Sequence, residues 1–165
     1  MMNQLQSLIG TVITASIERA AMGATKGDLV HGLLAGLRRI RTVVGLQSGY
    51  GAACAVDDSI HDQMLERSLE TFGAAPVGLP QPGAGAARAA AILEDAAMTC
   101  VTLNGYFPGN TAMTLAVWAM TERMLVVAGG VPHWRVISAL LRCHEAEDED
   151  VAAAGEEPWA HMAMQ

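Results

Sequence analysis

Hydrophobic residues recur three and four positions apart along most of the chain, which is the period of an α-helix with one buried face. The first such stretch runs from Leu5 to Ala21, and Gly23 follows as a stop. A second runs from about Asp28 to Val44 and carries apolar residues on more than one stripe. A helix that is apolar on several sides needs neighbours on each of them, so the pattern predicts a central second helix.

A third helix is predicted after the loop Ser48-Gly49-Tyr50-Gly51. We expect it to start around Asp57–Ser59, because acids and a hydroxyl in the first turn satisfy free backbone amides. Gly73 ends it. The helical spacing assigns five apolar residues to its buried side: Ile60, Met64, Leu65, Leu69 and Phe72.

Three further helices are predicted at about Ala86–Leu103, Asn110–Ala128 and from Pro132 through His144. The segment Gly73–Gly85 is rich in proline and glycine, which resist regular structure, and is expected to be a long surface loop. Each half of the chain is too small to stand alone. The pattern therefore predicts one helical domain, residues 1–144, built as a bundle of about six helices.

Composition agrees with an all-α fold. The 165 residues are 52% hydrophobic, 16% charged and only 4% aromatic, whereas an average soluble domain has about 25% charged residues. The apolar fraction is mostly Ala, Leu, Val and Met, and three of these four favour helices. The β-branched and aromatic enrichment that is typical of strands is missing.

The formal net charge of −7 comes entirely from residues 145–165. This segment has seven acids and no Lys or Arg, while residues 1–144 have ten acids and ten bases. Repulsion among so many acids favours disorder or a frayed helix extension, so we expect an acidic and flexible tail. Trp159 and Met162 near its end could dock elsewhere as a short apolar latch.

Few charges cover the remaining surface, because only 20 of residues 1–144 are charged. Apolar helices with so little charged cover usually hide a second face in an oligomer or against a partner. We therefore expect a small helical interaction protein of the adaptor, chaperone or scaffold type, which forms a homo-oligomer or binds a partner's helix. In this interpretation the acidic tail keeps the protein soluble or engages a basic partner.

The sequence also indicates a cytoplasmic protein. Cys54, Cys100 and Cys143 are odd in number and widely spaced, which fits free thiols in a reducing compartment. The N-terminal residues lack the basic region of a signal peptide, and no apolar run approaches the roughly 18 residues of a membrane span.

The alternative function is that of a small metal-dependent enzyme or a metal-binding protein. Asp58, His61 and Asp62 fall on one face of a helix, and carboxylates with an imidazole at this spacing can hold a divalent ion. His144, Glu147 and Asp148 repeat the spacing if the last helix continues. A helix N-terminus with capping acids and a solvated acidic tail are the simpler explanations of the two clusters.

No nucleophile or phosphate-binding motif indicates another enzyme class, so the sequence leaves the question of an enzyme open and favours a non-catalytic protein. The ranges Glu18–Arg41 and Glu122–Arg142 each read as helix, turn and helix, an arrangement found in proteins that bind DNA. Four cations cluster in the first range: Lys26, Arg38, Arg39 and Arg41. The pI near 5.1 and the single lysine argue against that role. Nucleic-acid binding is therefore not expected.

Overall fold

The computed structural model describes residues 2–72, 74–105 and 111–142. Within these ranges the chain forms six helices and no strand, which confirms the predicted all-α bundle of about six helices. The helices are α1 (Met2–Ala21), α2 (Lys26–Ser48), α3 (Tyr50–Glu70), α4 (Ala86–Asn104), α5 (Thr111–Ala128) and α6, residues 134–142. The predicted tail, residues 145–165, and Asn110, the predicted start of the fifth helix, lie outside the described residues.

Helix α2 is central, as its apolar pattern predicted. It packs against α1, α3, α4 and α5. Val30, Leu33, Leu37 and Ile40 are completely excluded from solvent, so apolar faces on several sides of the helix are covered by its neighbours.

Helix α2 begins with a capping box. The Thr25 hydroxyl accepts a hydrogen bond from the Asp28 amide at 3.1 Å, and the Asp28 carboxylate accepts one from the Thr25 amide at 3.0 Å. The helix ends at Ser48, one turn beyond the predicted end at about Val44.

Arg38, Arg39 and Arg41, the arginines of the predicted cationic cluster, lie inside α2. Each contacts a different helix. Arg38 donates to the Leu140 carbonyl of α6, Arg39 pairs with a carboxylate of α4 at 3.1 Å, and Arg41 pairs with a carboxylate of α3. Because the three side chains point to three neighbours, they do not form one cationic surface for phosphates.

Helix α3 starts at Tyr50, so the predicted start around Asp57–Ser59 is wrong. Gly49, with φ +92°, is enough to separate α2 from α3, because glycine adopts this backbone conformation without steric cost. Asp57 consequently lies two turns inside α3 and is buried. Ile60 and Met64 are buried as predicted.

The predicted buried face of α3 is wrong in its C-terminal half. Leu65 is 50% exposed, Leu69 67% and Phe72 95%. These three exposed residues, Leu65 and Leu69 in α3 and Phe72 in the turn after it, are together called the α3 row. Exposed apolar residues grouped in this way are typical of a surface that contacts something else.

The segment between α3 and α4 is fastened to the start of α2. The Gly83 amide donates to Asp28 Oδ1 at 2.6 Å. The loop backbone also approaches Gly27 so closely that a Cβ at this position would overlap the Gln81 carbonyl. Glycine at position 27 is therefore what lets the loop lie flat against α2.

Candidate functional site

One open groove of about 530 Å³ lies beside the C-terminal half of α3. Its lining comes from α3 between residues 61 and 71, from the segment 74–77, and from residues 125–134 at the end of α5 and the start of α6. We call it the α3–α5 groove. Its volume falls in the range of sites that hold ligands or peptide side chains, roughly 300–1,000 Å³.

The floor and the rim of the groove are apolar. Met64 and Leu125, at 2% and 3% exposure, form buried parts of the lining. Leu65 and Val126 also line it and remain 50% and 54% exposed. Covering this half-exposed surface with another apolar group would remove it from water, which is favourable by roughly 25 cal/mol per Å².

An aromatic pair stands at one end of the groove. The rings of His61 and Trp134 have centroids 4.8 Å apart and are tilted by 55°. Trp134 begins α6, and its ring rests against α3 through this contact. Such tilted pairs are stabilised beyond their area of contact and hold both rings in fixed positions.

The wall opposite α3 depends on a short parallel contact between distant segments. The Val77 amide donates to the Val131 carbonyl at 3.0 Å, and Val77 and Pro132 form an isolated β-bridge. Gly130 has φ +155°, and a Cβ there would lie 2.8 Å from Val77 Cγ1. Glycine is needed at position 130 because both the backbone conformation and the space exclude a side chain.

His133 sets the direction in which α6 leaves the groove. Its carbonyl accepts from the amide of Val136 at 3.0 Å, and its Nδ1 accepts from the amide of Arg135 at 3.2 Å. The imidazole therefore caps the first turn of α6. Helix α6 begins at 134, two residues later than the predicted start at Pro132.

Among the described residues, the ionisable side chains that line the groove are Arg67, His61 and His133, with no carboxylate. Arg67 also pairs with Glu122 at 3.3 Å and with Glu70 at 3.5 Å on the outer side of α3. The interior of the groove is thus apolar with cationic or neutral polar groups, which suits an apolar segment better than a cationic one.

A buried ion cluster lies one helical turn from His61. Asp57 accepts from Arg41 and is also 3.7 Å from Arg142 of α6. Since Trp134 meets His61 and Arg142 meets Asp57, α6 lies antiparallel to this part of α3. The cluster fixes the position of α6 and hence of the groove wall.

The three residues predicted to bind a divalent metal are not gathered into a pocket. Asp58 and Asp62 are exposed, and the half-buried His61 ring packs on Trp134. Among the residues that the structure describes, no group of three His, Cys, Asp or Glu side chains is placed to hold a metal ion. The metal site at Asp58, His61 and Asp62 stays a prediction. The second cluster, His144, Glu147 and Asp148, lies outside the described residues.

The thiols offer no nucleophile at the groove. Cys100 is fully buried in α4, and this burial raises the pKa of its thiol to about 11. Cys54 is half-buried in α3, away from the groove lining. Cys143 lies outside the described residues.

Comparisons with known proteins find no family model, no curated protein and no solved structure that matches this chain. One described helix, α5, is long and apolar enough by length and composition to cross a membrane. Core helices of soluble proteins pass the same test, and 44% of α5 is buried inside the protein. The predicted cytoplasmic location stays a prediction.

Sequence patterns missed the groove because it joins three stretches that are far apart in the chain. The helical spacing of Leu65, Leu69 and Phe72 is a local sequence pattern beside the groove, and it predicts a face buried in the core. That spacing marks an apolar face but does not say what covers it.

Proposed function

We propose that this protein is a small cytoplasmic interaction protein that binds an apolar helix or extended segment of a protein partner in the α3–α5 groove. The observation that carries the proposal is the half-exposed apolar rim, Leu65 and Val126, above the buried floor of an open groove. A groove of this kind accepts the apolar face of a partner segment, with side chains anchored at helical spacing.

The α3 row extends the proposed contact surface beyond the groove. Leu65 belongs to both, Leu69 follows it one turn later on the same side of α3, and Phe72 lies in the turn after the helix ends. A partner helix that enters the groove can therefore also cover this row. The same row gives a second copy of the chain an apolar surface, so self-association through α3 is part of the proposal.

No feature of the described residues favours the metal-dependent alternative. It needs Asp58, His61 and Asp62 to converge, and the contact of His61 with Trp134 assigns its ring to packing. Neither nucleic-acid binding nor an enzymatic reaction is favoured by a described feature.

A peptide-display selection on the immobilised full chain tests the proposal. We expect it to enrich apolar peptides that bind in the micromolar range. Leu65→Arg and Val126→Arg each place a charge on the groove rim, so each should weaken binding at least about tenfold, or 1.4 kcal/mol. The matched control is Leu46→Arg, because Leu46 is 83% exposed on α2 and does not line the groove.

Circular dichroism should show the same helix content in all three variants, since each replaced side chain is at least half exposed. The proposal fails if no peptide is enriched, or if the enriched peptides bind both groove variants as tightly as the unmodified chain.

A further inference from the structure

The segment after the acidic run of this chain has the composition that the α3–α5 groove accepts. It contains Trp159, Met162 and Met164, and it follows seven acids between residues 145 and 157 with no intervening base. Trp159 and Met162 are one helical turn apart, so a helical or turn conformation presents them on one side. These residues lie outside the described part of the chain.

The apolar chemistry is complementary. The groove offers a floor of Met64 and Leu125 and the ring of Trp134 at one end. A tryptophan is the side chain that buries the most apolar area, and methionine thioethers make favourable contacts with aromatic rings. Trp159 and Met162 together therefore provide two anchors for a groove with this lining.

The charges beside the groove differ between its two sides. No carboxylate lines the groove, and Arg67 does. Two exposed arginines stand beside it: Arg123 lies one turn before Val126 on α5, and Arg135 follows Trp134. Arg67 is paired with Glu70 and Glu122, and Glu66 is exposed beside Leu65, so the cations that the acids before Trp159 can approach are Arg123 and Arg135, at the end of the groove formed by α5 and α6.

The chain is long enough to make the contact within one molecule. Arg142 ends the described part of α6, at a distance of about 12 Å along the helix from Trp134. Roughly 17 residues then lead to Trp159. They span about 25 Å as a helix and about 23 Å as a random coil, so either conformation reaches the groove.

We propose that Trp159 and Met162 occupy the α3–α5 groove of their own molecule, so that the acidic segment competes with the partner for the groove. This inference rests on the proposed function of the groove. A short tether gives an effective concentration in the millimolar range. A tail that binds with an intrinsic Kd of roughly 0.1 mM then fills most grooves and weakens partner binding about tenfold.

The probe is a fluorescent peptide with the sequence of residues 153–165, and fluorescence anisotropy measures its binding to the full chain. We expect it to bind the double variant Trp159→Ala/Met162→Ala about tenfold more tightly than the unmodified chain, because the variant's groove is free. Addition of Val126→Arg to the double variant should abolish this binding. Addition of Leu46→Arg should leave it unchanged.

The inference is overturned if the peptide binds the double variant no better than the unmodified chain, or if binding survives Val126→Arg. It is also overturned if the weakening of peptide binding in the unmodified chain, relative to the double variant, increases with protein concentration and sedimentation shows dimers. The occupant of the groove would then come from a second copy.

Peptides from the display selection separate this inference from the proposed function. If they bind the unmodified chain and the double variant equally and still depend on Val126, the groove binds partners but the tail does not regulate it. If they depend on Val126 in neither protein, the proposed function itself fails.

Discussion

The Nε of Arg41 lies 2.8 Å from Oδ1 and 3.0 Å from Oδ2 of Asp57, with side chains that are only 3% and 6% exposed. The two residues belong to α2 and α3, and Arg142 of α6 adds a second cation 3.7 Å from the same carboxylate. One buried carboxylate thus holds three helices. Such a pair is a weak source of net stability, but the loss of one partner leaves an uncompensated buried charge.

Asp57→Ala should therefore lower the free energy of unfolding by about 3–5 kcal/mol. Urea denaturation followed by circular dichroism measures the change. Its neighbour Asp58 is exposed and provides the control, because Asp58→Ala should change stability by no more than about 0.5 kcal/mol. Equal effects of the two substitutions would contradict the assigned role of the cluster.

Asp28 predicts a pH dependence of stability. The backbone amide of Thr25 and then that of Gly83 lower the pKa of the Asp28 carboxyl below its ordinary value of 3.8, against an opposing effect of burial. A lowered folded pKa stabilises the protein above the unfolded pKa, and the stabilisation is lost as pH falls through the folded pKa.

The stability difference between the unmodified chain and Asp28→Asn should therefore be fully present above about pH 4 and shrink in more acidic buffer. Thermal unfolding from pH 7 down to pH 2.5 measures it. Asp95→Asn, at an exposed position of α4, should show a small difference at every pH. A difference for Asp28→Asn that grows on acidification would refute the linkage.

Two glycine-to-alanine substitutions should act in opposite directions. At Gly27 a Cβ would overlap the Gln81 carbonyl. A backbone group is costly to displace, so Gly27→Ala should lower the free energy of unfolding by about 1–3 kcal/mol. At Gly10 no atom lies within 4 Å of a Cβ, so Gly10→Ala in α1 should stabilise by about 0.5–1 kcal/mol. Melting temperatures that move in the same direction would show that the loop does not lie on α2 as described.

Cys100 should be inert in the folded protein. Burial raises the pKa of its thiol to about 11, so roughly one thiol in a thousand is ionised at pH 8. In the variant Cys54→Ser/Cys143→Ser, a chromogenic disulfide reagent should react with Cys100 only after denaturant is added. Rapid reaction without denaturant would mean that α4 opens far more readily than its burial indicates.

Native mass spectrometry of the reduced protein, without chelator, tests self-association and the metal site together. We expect a multiple of 17.3 kDa with no added mass. Phe72→Arg should shift the population toward monomer, since Phe72 is the most exposed residue of the α3 row. Asp58→Ala/His61→Ala should leave the assembly intact, whereas a monomer that carries a divalent ion lost in this variant would favour the metal alternative.

The helices and the central position of α2 were predictable because they depend on local periodicity. Val30, Leu33 and Leu37 repeat at helical spacing, and the burial of several faces follows from composition. The start of α3 was not predictable from the same rules. Asp57 looks like a capping residue in sequence, and only the packing of α2 against α3 brings Arg41 beside it.

The candidate site was less predictable than the fold. The spacing of His61 from Asp58 and Asp62 predicts a metal ligand. Its ring instead contacts Trp134, which lies far along the chain. The distances that build the groove depend on how the helices pack, and helix periodicity carries no information about that.

The hydrogen bond from the Val77 amide to the Val131 carbonyl also bears on the order of folding. The whole of α4 and of α5 lies between the two residues, so the chain loses considerable entropy when it brings them together, and contacts between neighbouring helices form at lower cost. We therefore expect the wall of the groove to form after the helices have packed into a bundle. A newly synthesised molecule would pass through a stage in which its helices have formed but the groove cannot yet bind a partner.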